Sequence, residues 1–124
     1  MTIPGETTLQ AGDLILVEFG PVRGTEQDGR RPALIISEAL MNAATRRVIV
    51  CPITSNIEPW PTKVMLPPGL GTTGAVLTDQ VRSIDQHARI LRRLGFVPTT
   101  TLTKVRHQVA TLIGIEAPIN TGQQ

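Results

Sequence analysis

From residue 13 to 19 the chain is almost continuously apolar, with Leu14, Ile15, Leu16 and Val17 in a row. Gly12 before this run and Gly20-Pro21 after it leave too few positions for a helix, so the run predicts a buried strand. Residues 33–36, 48–52, 62–66 and 74–78 are shorter apolar runs, and each predicts a further strand. Residues 79–84 are mixed in character, and 88–96 vary between polar and apolar, which predicts a late strand. Loop chemistry separates these runs: Gly20, Pro21, Gly24, Asp28 and Gly29 in 20–31, Ser55, Asn56, Pro59 and Pro61 in 54–61, and a turn over 67–71. Residues 38–44 suit one or two helical turns capped by Ser37. Over 99–115, Leu102, Val105, Val109, Leu112 and Ile113 recur at helical spacing. The threonines after Pro98 offer that helix an N-cap, and Gly114 lies near its end.

These elements add up to a mainly β (α+β) chain: a small, curled antiparallel sheet with short helices and a C-terminal helix packed against it. A length of 124 residues has room for one core. The expected organisation is a loose N-terminal tail over 1–10, one domain over 11–116 and a C-terminal tail over 117–124.

Composition narrows the function. Cys51 is the only cysteine, so no disulfide forms within the chain, which suits a reducing cytosol. There is no signal-peptide pattern and no apolar run of membrane-spanning length, so a cytoplasmic location and no membrane partner are expected. Net charge is only +2, but every basic residue except Lys63 and Lys104 is arginine. Arginine's planar fork grips phosphate in two places, which favours an anionic partner. His87 and His107 are isolated, and no metal-ligand spacing, glycine-rich phosphate loop or serine elbow is present, so neither metal nor cofactor is expected.

The remaining polar chemistry sits in three loops. The first runs Gly24-Thr25-Glu26-Gln27-Asp28-Gly29-Arg30-Arg31-Pro32, where Pro32 restricts Arg31 to an extended backbone. The second is Pro52-Ile53-Thr54-Ser55-Asn56, and the third is Asp79-Gln80-Val81-Arg82-Ser83-Ile84-Asp85. These residues resemble a family. Gly24-x-Glu26-Gln27-x-Gly29-x-Arg31-Pro32 before an apolar strand is similar to the opening of the MazF/PemK/Kid toxins, the ribosome-independent mRNA interferases of type II toxin–antitoxin pairs. Pro52-x-Thr54 is a second match. Thr72-Thr73-Gly74-x-Val76-x-x-Asp79-Gln80-x-Arg82-x-Ile84-Asp85 is a third, especially like the Kid/PemK branch.

The resemblance implies an SH3-like or CcdB-like barrel with a C-terminal helix, working as a homodimer with single-stranded RNA in a groove across the interface. It implies attack by a ribose 2′-OH on the adjacent phosphorus, leaving a cyclic phosphate and a 5′-hydroxyl. The family's catalytic arginine matches Arg31 and its catalytic threonine matches Thr54. Arg31 would stabilise charge on the phosphoryl oxygens, and Thr54 would donate a hydrogen bond to one of them. Glu26 and Asp79 are both candidates for the base. Arg23, Gln27, Ser55, Asn56, Gln80 and Arg82 are the expected RNA contacts. The implied partner is a MazE-like antitoxin whose acidic, largely disordered C-terminal segment folds into the RNA groove. Two departures stand out: the Kid/PemK branch has histidine where this chain has Thr25, and arginine where it has Leu77.

Plainer uses compete at each position. Arg31 could pair with Glu26 or Asp28 across its loop, and Thr54 could simply end a strand. Trp60 reads as a loop side chain covering the barrel end, with base stacking as the alternative. Arg89, Arg92 and Arg93 suit a solvated strand face or part of the antitoxin surface, and Cys51 a small core hydrophobe. A different function competes too: the gyrase-poisoning CcdB toxins share the barrel and are not enzymes. The Arg31 and Thr54 motifs favour cleavage.

Overall fold

Residues 8–20 and 29–116 are described by a computed structural model. Within them the apolar runs become seven strands and three helices. In chain order these are β1 (Asp13–Glu18), β2 (Arg30–Ile35), α1 (Ala39–Thr45), β3 (Arg47–Thr54), β4 (Lys63–Met65), β5 (Ala75–Leu77), β6 (Arg82–Asp85), α2 (Gln86–Arg89), β7 (Ile90–Phe96) and α3 (Thr99–Leu112). All pairings are antiparallel. The order is β4-β5-β3-β2-β1-β7, with β6 also pairing β3. β3 therefore has β2 along one edge and two strands along the other: β6 beside Arg47 to Val50, then β5 beside Ile53 and Thr54.

Successive strand residues point to opposite faces, and here both faces are buried. Leu14, Leu34, Cys51, Ile53 and Val76 join Val97 and Val105 in one core, against which Leu102 and Val109 of α3 also pack. Ile15, Val17, Ala33, Ile35, Val48, Val50 and Ile84 form a second core, flanked by Leu9, Phe19 and Ile90. Across β6-β3-β2-β1-β7 the outer strands would stand about 19 Å apart in a flat sheet. The single helical turn of α2 joins them and spans only about 6 Å, so the sheet must coil.

The other edge is brought in by a loop. A Cβ on Gly71 would lie 1.8 Å from the Leu94 carbonyl oxygen, so the β4–β5 connection reaches β7 only because residue 71 has no side chain. The expected barrel is thus a coiled sheet. Its edges meet through α2 and the Gly71 contact, and no ladder closes the ring among the described residues.

Three local expectations are corrected. Ser37 does not cap α1: its hydroxyl donates to buried Asn42 Oδ1 at 2.5 Å and accepts from Ile49 N–H at 2.9 Å. Asn42 in turn donates to the Leu9 and Ser37 carbonyls, a buried network that ties α1 to the start of the domain. α3 is preceded at its N-cap position by Pro98, not by a threonine, and it ends at Leu112. Ala88 and Arg89 are helical, not the start of the late strand: the Asp85 carboxylate accepts from Ala88 N–H at 2.8 Å and starts the turn of α2.

Candidate active site

Two prolines coincide with the end of the ladder between β2 and β3. The register runs Ile35–Val50, Leu34–Cys51, Ala33–Pro52 and goes no further. Pro32 and Pro52 have no N–H to donate, so neither can extend it as a donor. Continued by two residues, the same register sets Arg31 opposite Thr54. Alternation puts Arg31 on the face of Ala33 and Ile35, and Thr54 on the face of Val48 and Val50. Those four residues belong to one core. A guanidinium and a hydroxyl thus come to the same face at the same end of the sheet, both half-buried. Arg31 is fixed on its other edge by pairing with Val17 of β1.

Thr54 is held by β5, where it pairs with Ala75. Its Oγ1 accepts from Asn56 N–H at 3.1 Å. That bond uses an oxygen lone pair and leaves the hydroxyl proton available to a ligand. Ser55 and Asn56 follow on the exposed loop, and Asn56 Oδ1 accepts from Glu58 N–H at 3.0 Å. Lys63, which the sequence did not single out, donates from Nζ to the carbonyls of Asn56 at 2.7 Å and Glu58 at 2.9 Å.

Asp79 and Gln80 lie exposed in the turn after β5. Thr78 anchors this turn from below, donating from Oγ1 to the Thr62 carbonyl at 2.6 Å. The Asp79 carboxylate is near enough to Cys51 on β3 to act on its thiol. Burial first, and then this negative charge, push the thiol up to about 12. Cys51 should therefore resist alkylation at pH 8 in the folded protein and react at an ordinary thiol rate once denatured, which mass spectrometry after iodoacetamide would read directly.

Arg82, opposite Val50, reaches across the coiled sheet and sets its guanidinium 4.9 Å from the centre of the Phe19 ring. Its charge is thereby positioned over an aromatic face. Among the expected site residues, the structure brings Arg31 and Thr54 to one face, with Ser55 and Asn56 continuing from Thr54 and Asp79, Gln80 and Arg82 on the segment along the far edge of β3. Arg23, Glu26 and Gln27 lie outside the described residues. Trp60, expected to cover the barrel end, is 64% exposed. No group of three or more histidine, cysteine or acidic side chains among the described residues could hold a metal ion.

The profile of the PemK-like, MazF-like toxins of type II toxin–antitoxin systems matches residues 10–113. The chain is 37% identical over 103 residues to the endoribonuclease toxin MazF of Escherichia coli K12, covering 83% of this chain and 92% of that protein. It is 37% identical over 112 residues to the Escherichia coli endoribonuclease PemK, covering 87% and 84%. Its fold is similar to a crystal structure of a MazE–MazF complex from Deinococcus radiodurans, with a TM-score of 0.79, 38% identity, and coverage of 90% of this chain and all of the other.

Proposed function

The chain belongs to the family of PemK-like, MazF-like toxins of type II toxin–antitoxin systems, and from that premise we propose that it is a toxin that cuts single-stranded RNA at a short sequence, with neither ribosome nor metal. The observation that carries the reading is the register of the β2–β3 ladder, which ends at Ala33–Pro52 and, continued by two residues, sets Arg31 opposite Thr54. In-line attack by a ribose 2′-OH builds negative charge on the phosphoryl oxygens. A fixed guanidinium and a hydroxyl with a free proton oppose that charge as it develops. The step leaves a 2′,3′-cyclic phosphate and a 5′-hydroxyl.

The high pKa of Arg31 makes it a poor base, so the 2′-OH proton falls to a carboxylate: Asp79, in the turn after β5, or Glu26, four residues before Arg30 in the sequence. Arg23, Gln27, Ser55, Asn56, Gln80 and Arg82 contact the RNA. The chain works as a homodimer in the cytoplasm, and an antitoxin with an acidic C-terminal segment blocks the groove. No helix among the described residues is long and apolar enough to cross a membrane.

The test is incubation of purified protein with a long, defined RNA in EDTA, with fragment ends mapped. Discrete cuts at one short motif are expected, and Thr54→Val should slow them by about 10²-fold while keeping the side-chain shape. Uncut RNA from a folded protein would move the reading to a CcdB-like, gyrase-binding toxin.

A further inference from the structure

The segment that follows Thr54 is tied down at both ends. Thr54 Oγ1 takes Asn56 N–H, Asn56 Oδ1 takes Glu58 N–H, and Lys63 holds the Asn56 and Glu58 carbonyls with one ammonium. Lys63 N–H donates to the Trp60 carbonyl at 3.0 Å, and Gln108 Nε2 of α3 reaches the Pro61 carbonyl at 3.2 Å. Pro59 and Pro61 bracket Trp60, and a residue before proline is confined to extended backbone. The backbone around this indole is therefore ordered before any ligand arrives. Yet the indole is 64% exposed and neighbouring Ile57 is 56% exposed. Indoles are mostly covered in folded proteins, so a tied loop that displays one six residues after a phosphate-directed hydroxyl is arranged for something flat and apolar.

We propose that Trp60 is a stacking platform for one base of the single-stranded substrate, and that Lys63 is a positioning residue that holds the platform in place. The inference rests on the ribonuclease reading above. Bases present a π-face whatever their identity, and an aromatic side chain that stacks one adds affinity without reading its edge. Thr54 meets the phosphate and Trp60, on the same tied loop, takes a neighbouring base. Order in the free protein removes the cost of fixing the loop on binding. The Lys63 ammonium lies against two carbonyls of that loop, so its charge serves the loop's shape.

Trp60 is the chain's one tryptophan, so its emission reports on this site alone. The experiment titrates the whole protein with a short single-stranded oligodeoxynucleotide of mixed sequence, which has no 2′-hydroxyl to attack. A charge-matched abasic oligomer is the control. Saturable quenching by the first and binding without quenching by the second are expected. In RNA cleavage, Trp60→Ala should raise KM by about 5- to 150-fold, the range for losing one stacked base, with kcat little changed. Trp60→Phe should restore most of the loss. Lys63→Met should also raise KM, with partial rescue in Lys63→Arg.

Cleavage by Trp60→Ala with wild-type KM, or bound oligonucleotide that leaves the emission unchanged, overturns the stacking proposal while the nuclease reading stands. Emission of the free protein that moves to the blue with rising concentration means that a second copy covers the indole, and this also overturns it. A wild-type protein that neither cuts RNA nor binds single strands removes the nuclease reading and the proposal together.

Discussion

Arg31→Ala should lower the single-turnover rate of RNA cleavage by at least about 10²- to 10³-fold, the usual effect of deleting one positioned donor to a developing oxyanion. The fold should survive. Arg31 is half-buried near the start of β2, two residues before the first β2–β3 pair, and the apolar residues that fill the core begin only at Ala33. The melting temperature of the variant should therefore stay within a few degrees of the parent. Arg31→Lys separates charge from shape: a lysine keeps the positive charge and loses the planar fork that meets two phosphoryl oxygens at once. Its rate should fall between those of the parent and the alanine variant. An Arg31→Ala protein that cuts at the parental rate would remove the site assignment.

Gly74→Ala, just before β5, should be strongly damaging, and it should strike the site as well as the fold. Residue 74 has φ +127, a conformation that side-chain-bearing residues rarely adopt, which costs about 1–3 kcal/mol. A Cβ there would also lie 2.2 Å from the Thr54 carbonyl oxygen and 3.2 Å from Ile53 Cγ2. Relieving such overlap costs about 1–3 kcal/mol more, from a total stability of about 5–15 kcal/mol. Thermal unfolding should show a fall of roughly 10 °C or more. Because the displaced backbone is that of Thr54, the cleavage rate of the folded fraction should fall too. Gly69→Ala is the control: φ is +86 there, but nothing lies within 4 Å of the added carbon. It should show the backbone strain without the clash, and parental cleavage. Equal losses in the two variants would mean that the approach of Gly74 to Thr54 does not matter.

The two changes act on different levels. Arg31 is a chemical group carried on a strand end, and its loss leaves the scaffold standing. Gly74 is an absence of side chain on which the position of Thr54 depends. Both converge on the end of the β2–β3 ladder, where Pro32 and Pro52 have no N–H to donate. Pro32 has a second consequence: it also holds Arg31 extended, so one residue shapes both the ladder's end and the side chain beside it.

Several of these features are properties of the chain itself. The two-residue period of a strand decides that Arg31 shares a face with Ala33 and Ile35, and Thr54 with Val48 and Val50. Prolines lack an N–H wherever they stand. The apolar stripe of α3 and the burial of Cys51 follow from residue type and spacing in the same way. The neighbours of β3 are not of this kind. Nothing local in residues 47–54 states that one edge will be shared between β5 and β6, nor that Gly71 will meet Leu94, because those pairings join segments far apart in the sequence and depend on how the whole sheet coils. The hydroxyl of Ser37 is equally able to cap a helix or to bond Asn42, and packing chose the second. Lys63 looks like any surface lysine until its ammonium is seen on two carbonyls of the loop after Thr54. Trp60 reads as a loop side chain covering the barrel end until its ring is seen to be largely exposed. Sequence by itself determined which residues face together and where ladders fail, because periodicity and missing donors are local. The tertiary structure alone decided which segments meet and which polar groups spend their bonds on one another, because that is settled by distances between residues the chain places far apart.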